Sequence, residues 1–231
     1  MIKEELIKRS PVRLFEKSLH GGLEAGEIGI IAAPSGIGKT SVLVQIALDK
    51  LLQEKKVIHV SFIKHTDYIF SWYRDIFDEF TKKKNLEHAE DVKGEIVKNR
   101  IILNFNQDGV TGEKILKSLR ALIVEGGFTA PSIIIDGFDF SETNRRRMEE
   151  VKTFAKEYGI SFWYSCNVNE DQFNKQKIPF VVEEYLNLVD ILIVLEPGKD
   201  HIKLSASKDR NILNSDLTVA LDPRTLLILA P

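Results

Sequence analysis

The chain has 231 residues, 43% of them apolar, enough for one domain with a sizeable core. Its 32 Lys and Arg against 34 Asp and Glu give a net charge of -2, which excludes a global basic field that would hold nucleic acid or membranes indiscriminately. The single cysteine, Cys166, excludes an internal disulfide and a thiolate-rich zinc cage and points to a reducing, cytoplasmic setting; the charged opening segment lacks a signal peptide's apolar stretch, and no run of about 18 apolar residues suits a membrane span.

Residues 1–26 read as a lead-in to the first core strand, after which apolar runs alternate with helical patterns. A strand over Ile28–Ala33 is followed by a helix filling Lys39–Gln53 and a strand over Val57–Phe62. Ile69, Trp72, Tyr73, Ile76, Phe77 and Phe80 then recur at helical spacing, a stripe that reads as core, with ligand stacking by Trp72 or Tyr73 as the alternative. Residues 81–99, charged and weakly periodic, read as a surface excursion rather than a linker between domains. Further strands fall at Ile101–Phe105, Ile133–Asp136 and Ser161–Cys166. Between them lie two amphipathic helices: Ile115, Leu116, Leu119, Leu122 and Ile123 follow a cap at Thr111, and Met148, Val151, Phe154, Ala155 and Tyr158 follow a cap at Ser141. Beyond about residue 178 the pattern changes, and Asp190–Glu196, His201–Ala206, Leu217–Leu221 and Leu226–Ala230 predict hairpins. The whole predicts one α/β domain over 1–231: a mainly parallel twisted sheet flanked by helices, with C-terminal antiparallel hairpins.

The strongest chemical signal is Ala33-Pro34-Ser35-Gly36-Ile37-Gly38-Lys39-Thr40, continued by Ser41, between a predicted strand and a predicted helix. Gly36 and Gly38 let the backbone curl so that successive N–H groups converge on a phosphate at the positive end of the helix. Lys39 is a point charge for β- and γ-phosphates, and the Thr40 hydroxyl fills a Mg2+ position. ATP and Mg2+ are therefore the expected cofactors, cradled by Pro34–Ser41. Ala33 departs from the glycine that usually opens the pattern, which a strand end tolerates if its φ is negative. Asp136 closes the apolar run from Ser132 and is the second expected metal-facing residue; alone, an Asp there is equally a turn former or a helix cap.

Leu14–Gly26 (LFEKSLHGGLEAG) leads straight into this loop through the turn Gly21-Gly22-Leu23-Glu24-Ala25-Gly26, and the stretch resembles the opening of KaiC-like members of the RecA superfamily. The likeness extends through strand order, Asp136 and the triplet Lys208-Asp209-Arg210, so it spans nearly the whole chain. It implies a RecA-like P-loop NTPase fold and a homo-oligomer with ATP at the subunit interface. Related bacterial replicative helicases also carry Ala at the first loop position. The resemblance further implies that Lys208 and Arg210 reach a neighbour's γ-phosphate, completing a catalytic set whose other members, Lys39 and Asp136, belong to the loop and metal site of the subunit that holds the nucleotide; cations at i and i+2 of a strand share a face. From the residues alone a solvated strand edge fits them as well. Asn167 stands where the superfamily often has a γ-phosphate sensor, and a turn-forming Asn is the other reading.

One departure bears on catalysis. The superfamily places a water-activating Glu just after the second core strand, whereas here Ser61-Phe62 is followed by Ile63 and Lys64, neither of which takes a proton from water at neutral pH. His65 or Asp67 would need a shifted backbone to substitute, and Asp139 lies three residues beyond Asp136. Arg145-Arg146-Arg147 falls near where recombinases of the superfamily place a DNA-contacting loop, but Glu142, Glu149 and Glu150 dilute it, and a wet face or subunit contact fits equally. The 5 histidines show no ligand spacing for zinc. The expectation is an ATP- and Mg-binding switch with weak or absent hydrolysis that acts on assembly or on a protein partner; the alternative is an active DNA-dependent recombination or repair ATPase.

Overall fold

The computed structural model describes residues 2–62, 66–83, 90–105 and 112–229. Where the sequence predicts only a lead-in, the chain forms two helices, α1 (Ile2–Arg9) and α2 (Val12–Ser18). Val12, Phe15 and Leu19 recur on one face and are buried. The wholly buried β1 (Ile28–Ala33) then leads into α3 (Lys39–Leu52), β2 (Val57–Ser61), α4 (Thr66–Lys83), α5 (Glu90–Lys98) and β3 (Arg100–Asn104). The charged stretch 81–99 is thus partly helical, because Val92 and Ile96 give α5 an apolar side to bury. Residues 84–89 lie outside the described residues, as do 63–65 and the expected cap Thr111.

The chain continues through α6 (Gly112–Arg120), which runs into one π-helical turn, Ala121–Glu125, before β4 (Ser132–Asp136), α7 (Arg145–Tyr158) and β5 (Ser161–Asn167). Asn144, not Ser141, caps α7: its extended backbone lets Oδ1 accept from the Arg147 N–H at 3.1 Å. Ser141 is held instead in a 3-10 turn, its amide and hydroxyl both donating to Asp139. The short α8 (Phe180–Glu183) and the strands β6 (Ile191–Pro197), β7 (Ile202–Asp209), β8 (Ile212–Leu221) and β9 (Ile228–Leu229) complete the described fold.

The strands form one mixed sheet in the order β3-β2-β4-β5-β1-β6-β7-β8-β9. From β3 to β6 neighbours are parallel, and from β6 to β9 antiparallel. Alternate residues of the parallel strands serve two cores: Ile31, Ala33, Ile134 and Trp163 face the layer of α3 and α4, while Ile30, Ala32, Ile135 and Tyr164 face that of α6 and α7. From β1 the chain travels through α3 to β2 on one side, whereas β5 connects to β6 on the other side of β1. The carboxyl end of β1 therefore lies at a topological switch point, where an open α/β sheet leaves a crevice. No described helix is long and apolar enough to cross a membrane.

Candidate functional site

The loop after β1 turns on two left-handed glycines, Gly36 at φ 81° and Gly38 at φ 103°. A side chain at either would be strained, and at Gly38 a Cβ would also come within 2.6 Å of Leu221 Cδ2. Ala33 ends β1 without a positive φ, which is what a non-glycine residue there requires. Gly38 starts α3 with no side-chain cap, and the first helical bond runs from the Val42 N–H to the Gly38 carbonyl. The amides of Lys39, Thr40 and Ser41 thus open the helix at its positive end. Lys39 Nζ folds back over the loop, donating to the carbonyls of Ala33 (2.8 Å) and Pro34 (2.7 Å) and to Asn167 Oδ1 (3.1 Å). Desolvation lowers the Lys39 pKa to about 8, with Asp136 opposing the shift.

Asp136 is buried at the end of β4, and both of its oxygens are engaged. Oδ2 accepts from the Thr40 hydroxyl at 2.8 Å and Oδ1 from the Ser165 hydroxyl at 2.6 Å. Ser165 Oγ accepts in turn from the Gly137 N–H at 2.8 Å. Since β5 lies between β4 and β1, Ser165 bridges the gap that strand order opens between the acid and the loop. Sequence reasoning missed Ser165. The signal lies in register: Ile135 pairs with Tyr164, so the next residue along each strand meets the other.

In front of these groups lies a cavity of about 530 Å³, within the usual range for small-molecule sites. Ser35, Gly36, Gly38, Lys39, Thr40, Asp136 and Asn167 line its loop side. Pro34, Ile37 and Ser41 are loop residues outside the lining, and the Ser41 hydroxyl donates backwards to the Leu226 carbonyl at 2.9 Å. Tyr68 and Trp72, one helical turn apart on α4, form part of the wall with their rings edge to face at 6.0 Å. Tyr73 belongs to the core as expected, its hydroxyl 3.0 Å from His59 Nδ1. Leu226 also lines the cavity in a left-handed backbone, φ 56°, that a bulky residue rarely adopts. Its carbonyl takes both the Ser41 hydroxyl and Gln45 Nε2 (2.9 Å), tying the C-terminal turn to α3. Asp139 lines the cavity as well, with Oδ1 occupied by Ser141; Asp67 does not.

The late cations stand elsewhere. Gly29 pairs with Ile191, and Ile191 with Asp209, so the tip of the β7–β8 hairpin lies at the amino end of β1, about 13 Å of strand from the loop. Arg210 is beyond β7, in a turn at φ 54°, and does not share a strand face with Lys208. Lys208 Nζ donates to the carbonyls of Leu186 and Val189. Arg210 directs five hydrogen bonds into its own chain, to Glu27 (2.9 and 2.8 Å), Asp209 (2.8 Å), Leu19 O (3.2 Å) and Gly22 O (2.6 Å). Five is the full donor capacity of a guanidinium. Arg145, Arg146 and Arg147 are paired with Glu149, Glu150 and Glu113, which neutralises the cluster.

No protein-family model matches the chain, and no curated protein matches it. The functional reading therefore rests on the residues and their geometry.

Proposed function

We propose that the protein is a KaiC-like P-loop protein of RecA type that binds ATP with Mg2+ and uses nucleotide state as a switch, with hydrolysis slow or absent. One observation carries the reading: Gly36 and Gly38, both left-handed, open an uncapped α3 whose Lys39 and Thr40 line a 530 Å³ cavity together with Asp136, which accepts from the Thr40 hydroxyl. The order of the strands and the acid at the end of β4 support the RecA-type fold.

The donor set fits the expected groups. Thr40 and Asp136 offer hard oxygens 2.8 Å apart, the chemistry Mg2+ selects, and no Cβ crowds the curve at Gly36. When bound, Mg2+ supplies charge neutralisation to β- and γ-phosphate oxygens. The loop amides hold the polyphosphate, and Lys39 exchanges the Ala33 and Pro34 carbonyls for phosphate oxygens. Asn167, which accepts from Lys39, is placed to register that exchange, while Ser165 keeps Asp136 in position. Tyr68, Trp72 and Leu226 suit the flat apolar face of a nucleobase.

None of these contacts needs a water-activating acid, and the sequence has none at Phe62, Ile63 or Lys64. Measurable nucleotide binding with very slow turnover follows. Calorimetry of the pure protein with ATP and Mg2+ tests the reading: saturable binding is expected, and a flat titration at about 1 mM ligand overturns it. Rapid hydrolysis lost in Asp136→Ala would replace the switch with an engine.

The DNA-dependent alternative draws less support, because each arginine of Arg145–Arg147 meets a carboxylate. Side-by-side assembly with a neighbour's cations at the nucleotide would have to draw Lys208 and Arg210 off their own-chain partners. Sedimentation with and without ATP and Mg2+ reads this directly, and a monomer in both conditions removes the cross-subunit finger.

A further inference from the structure

A second concavity lies between α4 and α5, lined by Phe70, Tyr73, Phe77, Ile96, Val97 and Arg100 and enclosing about 280 Å³. Its walls are apolar, and Phe70 and Val97 are exposed at 48% and 58%, so its rim is open to solvent. Rim cations are already spent: Lys93 pairs with Asp78 at 2.7 Å, and Arg74 with Asp75 at 3.2 Å.

Arg100 differs. It is half-buried at the start of β3, and its guanidinium lies over the ring of Tyr73 at 4.1 Å and that of Phe70 at 5.3 Å. Among the described residues it meets no carboxylate and no carbonyl; the two ring faces are its partners. Ring faces hold the flat side of a guanidinium and leave its edge, where all five N–H groups lie, without acceptors. A partly desolvated cation of this kind gains most from one bidentate carboxylate, and the surrounding walls gain from covering with apolar atoms.

We propose that this groove is a binding site for a small amphipathic carboxylate, an organic acid whose apolar or aromatic body fills the space between α4 and α5 while its carboxylate pairs with Arg100. A small acid is favoured over a larger partner by size, since the volume of about 280 Å³ falls just under the range of about 300–1,000 Å³ for small-molecule sites. A single cation without a carboxylate partner among the described residues also calls for one negative charge. The site is separate from the loop after β1 and does not depend on the nucleotide reading.

The test is an NMR titration of the full isotopically labelled chain with 4-phenylbutanoate and, in parallel, with 4-phenylbutanamide, which keeps the shape and loses the charge. Saturable shifts centred on Phe70, Val97 and Arg100 are expected with the acid, at a dissociation constant of about 1 mM, and about tenfold weaker binding or less with the amide. Arg100→Gln should weaken the acid by a similar factor. Val97→Glu, at an exposed position that does not threaten folding, supplies an internal carboxylate and should compete the acid out. The proposal is overturned if the acid gives no shifts at about 10 mM, if the amide binds equally well, or if the acid binds Val97→Glu and Arg100→Gln as it binds the wild type.

Discussion

The two ends of β1 hold cations in opposite conditions. At the carboxyl end, Lys39 bonds to two backbone carbonyls and an amide oxygen, neutral acceptors beside an open cavity. At the amino end, Arg210 gives every N–H to its own chain, with two carboxylates among its acceptors. A cation held by neutral dipoles gains by exchanging them for an anion; one already paired with carboxylates gains little and loses structure if it leaves. Charge count does not separate the two, but their partners do.

Substitution sharpens this contrast most at Lys39. Lys39→Ala should weaken ATP binding by at least about 100-fold in calorimetry while leaving the melting temperature unchanged or raised, since it removes a desolvated charge. Arg210→Ala should do the reverse. It removes the guanidinium from Oδ1 of the buried Asp209, leaving His20 at Oδ2, and costs about 3 kcal/mol in denaturant unfolding, with nucleotide affinity preserved; a large loss of affinity at intact stability would break the comparison.

Smaller effects probe the loop end in detail. Ser165→Ala leaves one Asp136 oxygen without its donor, so affinity measured with Mg2+ should fall about tenfold while affinity measured in EDTA holds. Equal losses in both would make Ser165 a packing residue only. Smallest is the pH effect. With its pKa lowered to about 8, Lys39 is charged at pH 7 and mostly neutral at pH 8.5, and binding must then take up a proton. Affinity should drop about fourfold between these values, an effect absent in Lys39→Arg.

Much of this was legible in the chain because the relevant signals are local. The strand before the loop, Gly36, Gly38 and the long apolar helix after them all sit within 25 residues, Ile28 to Leu52, and each obeys a short-range rule. Ser165 was not legible, since its role depends on which strand lies between β4 and β1. The positions of Lys208 and Arg210 were misleading for a related reason: i and i+2 share a face only while a strand continues, and β7 ends at Asp209. Tyr68 escaped notice because it flanks the apolar stripe of α4, and only the fold shows that the two sides of that helix serve a cavity and a core. At the start of α7, Ser141 and Asn144 are both good caps by type, and backbone geometry chose between them.

Leu226 shows how one backbone angle can bind two inheritances together. Its left-handed bend aims the carbonyl at Ser41 and Gln45 while the residue contributes to the cavity lining. A glycine would relax the bend but strip an apolar side chain from the cavity lining, and a β-branched residue would resist the bend outright. Any descendant of this chain that retained the latch would therefore have few letters to choose from at this position, and each choice would retune the shape of the cavity wall.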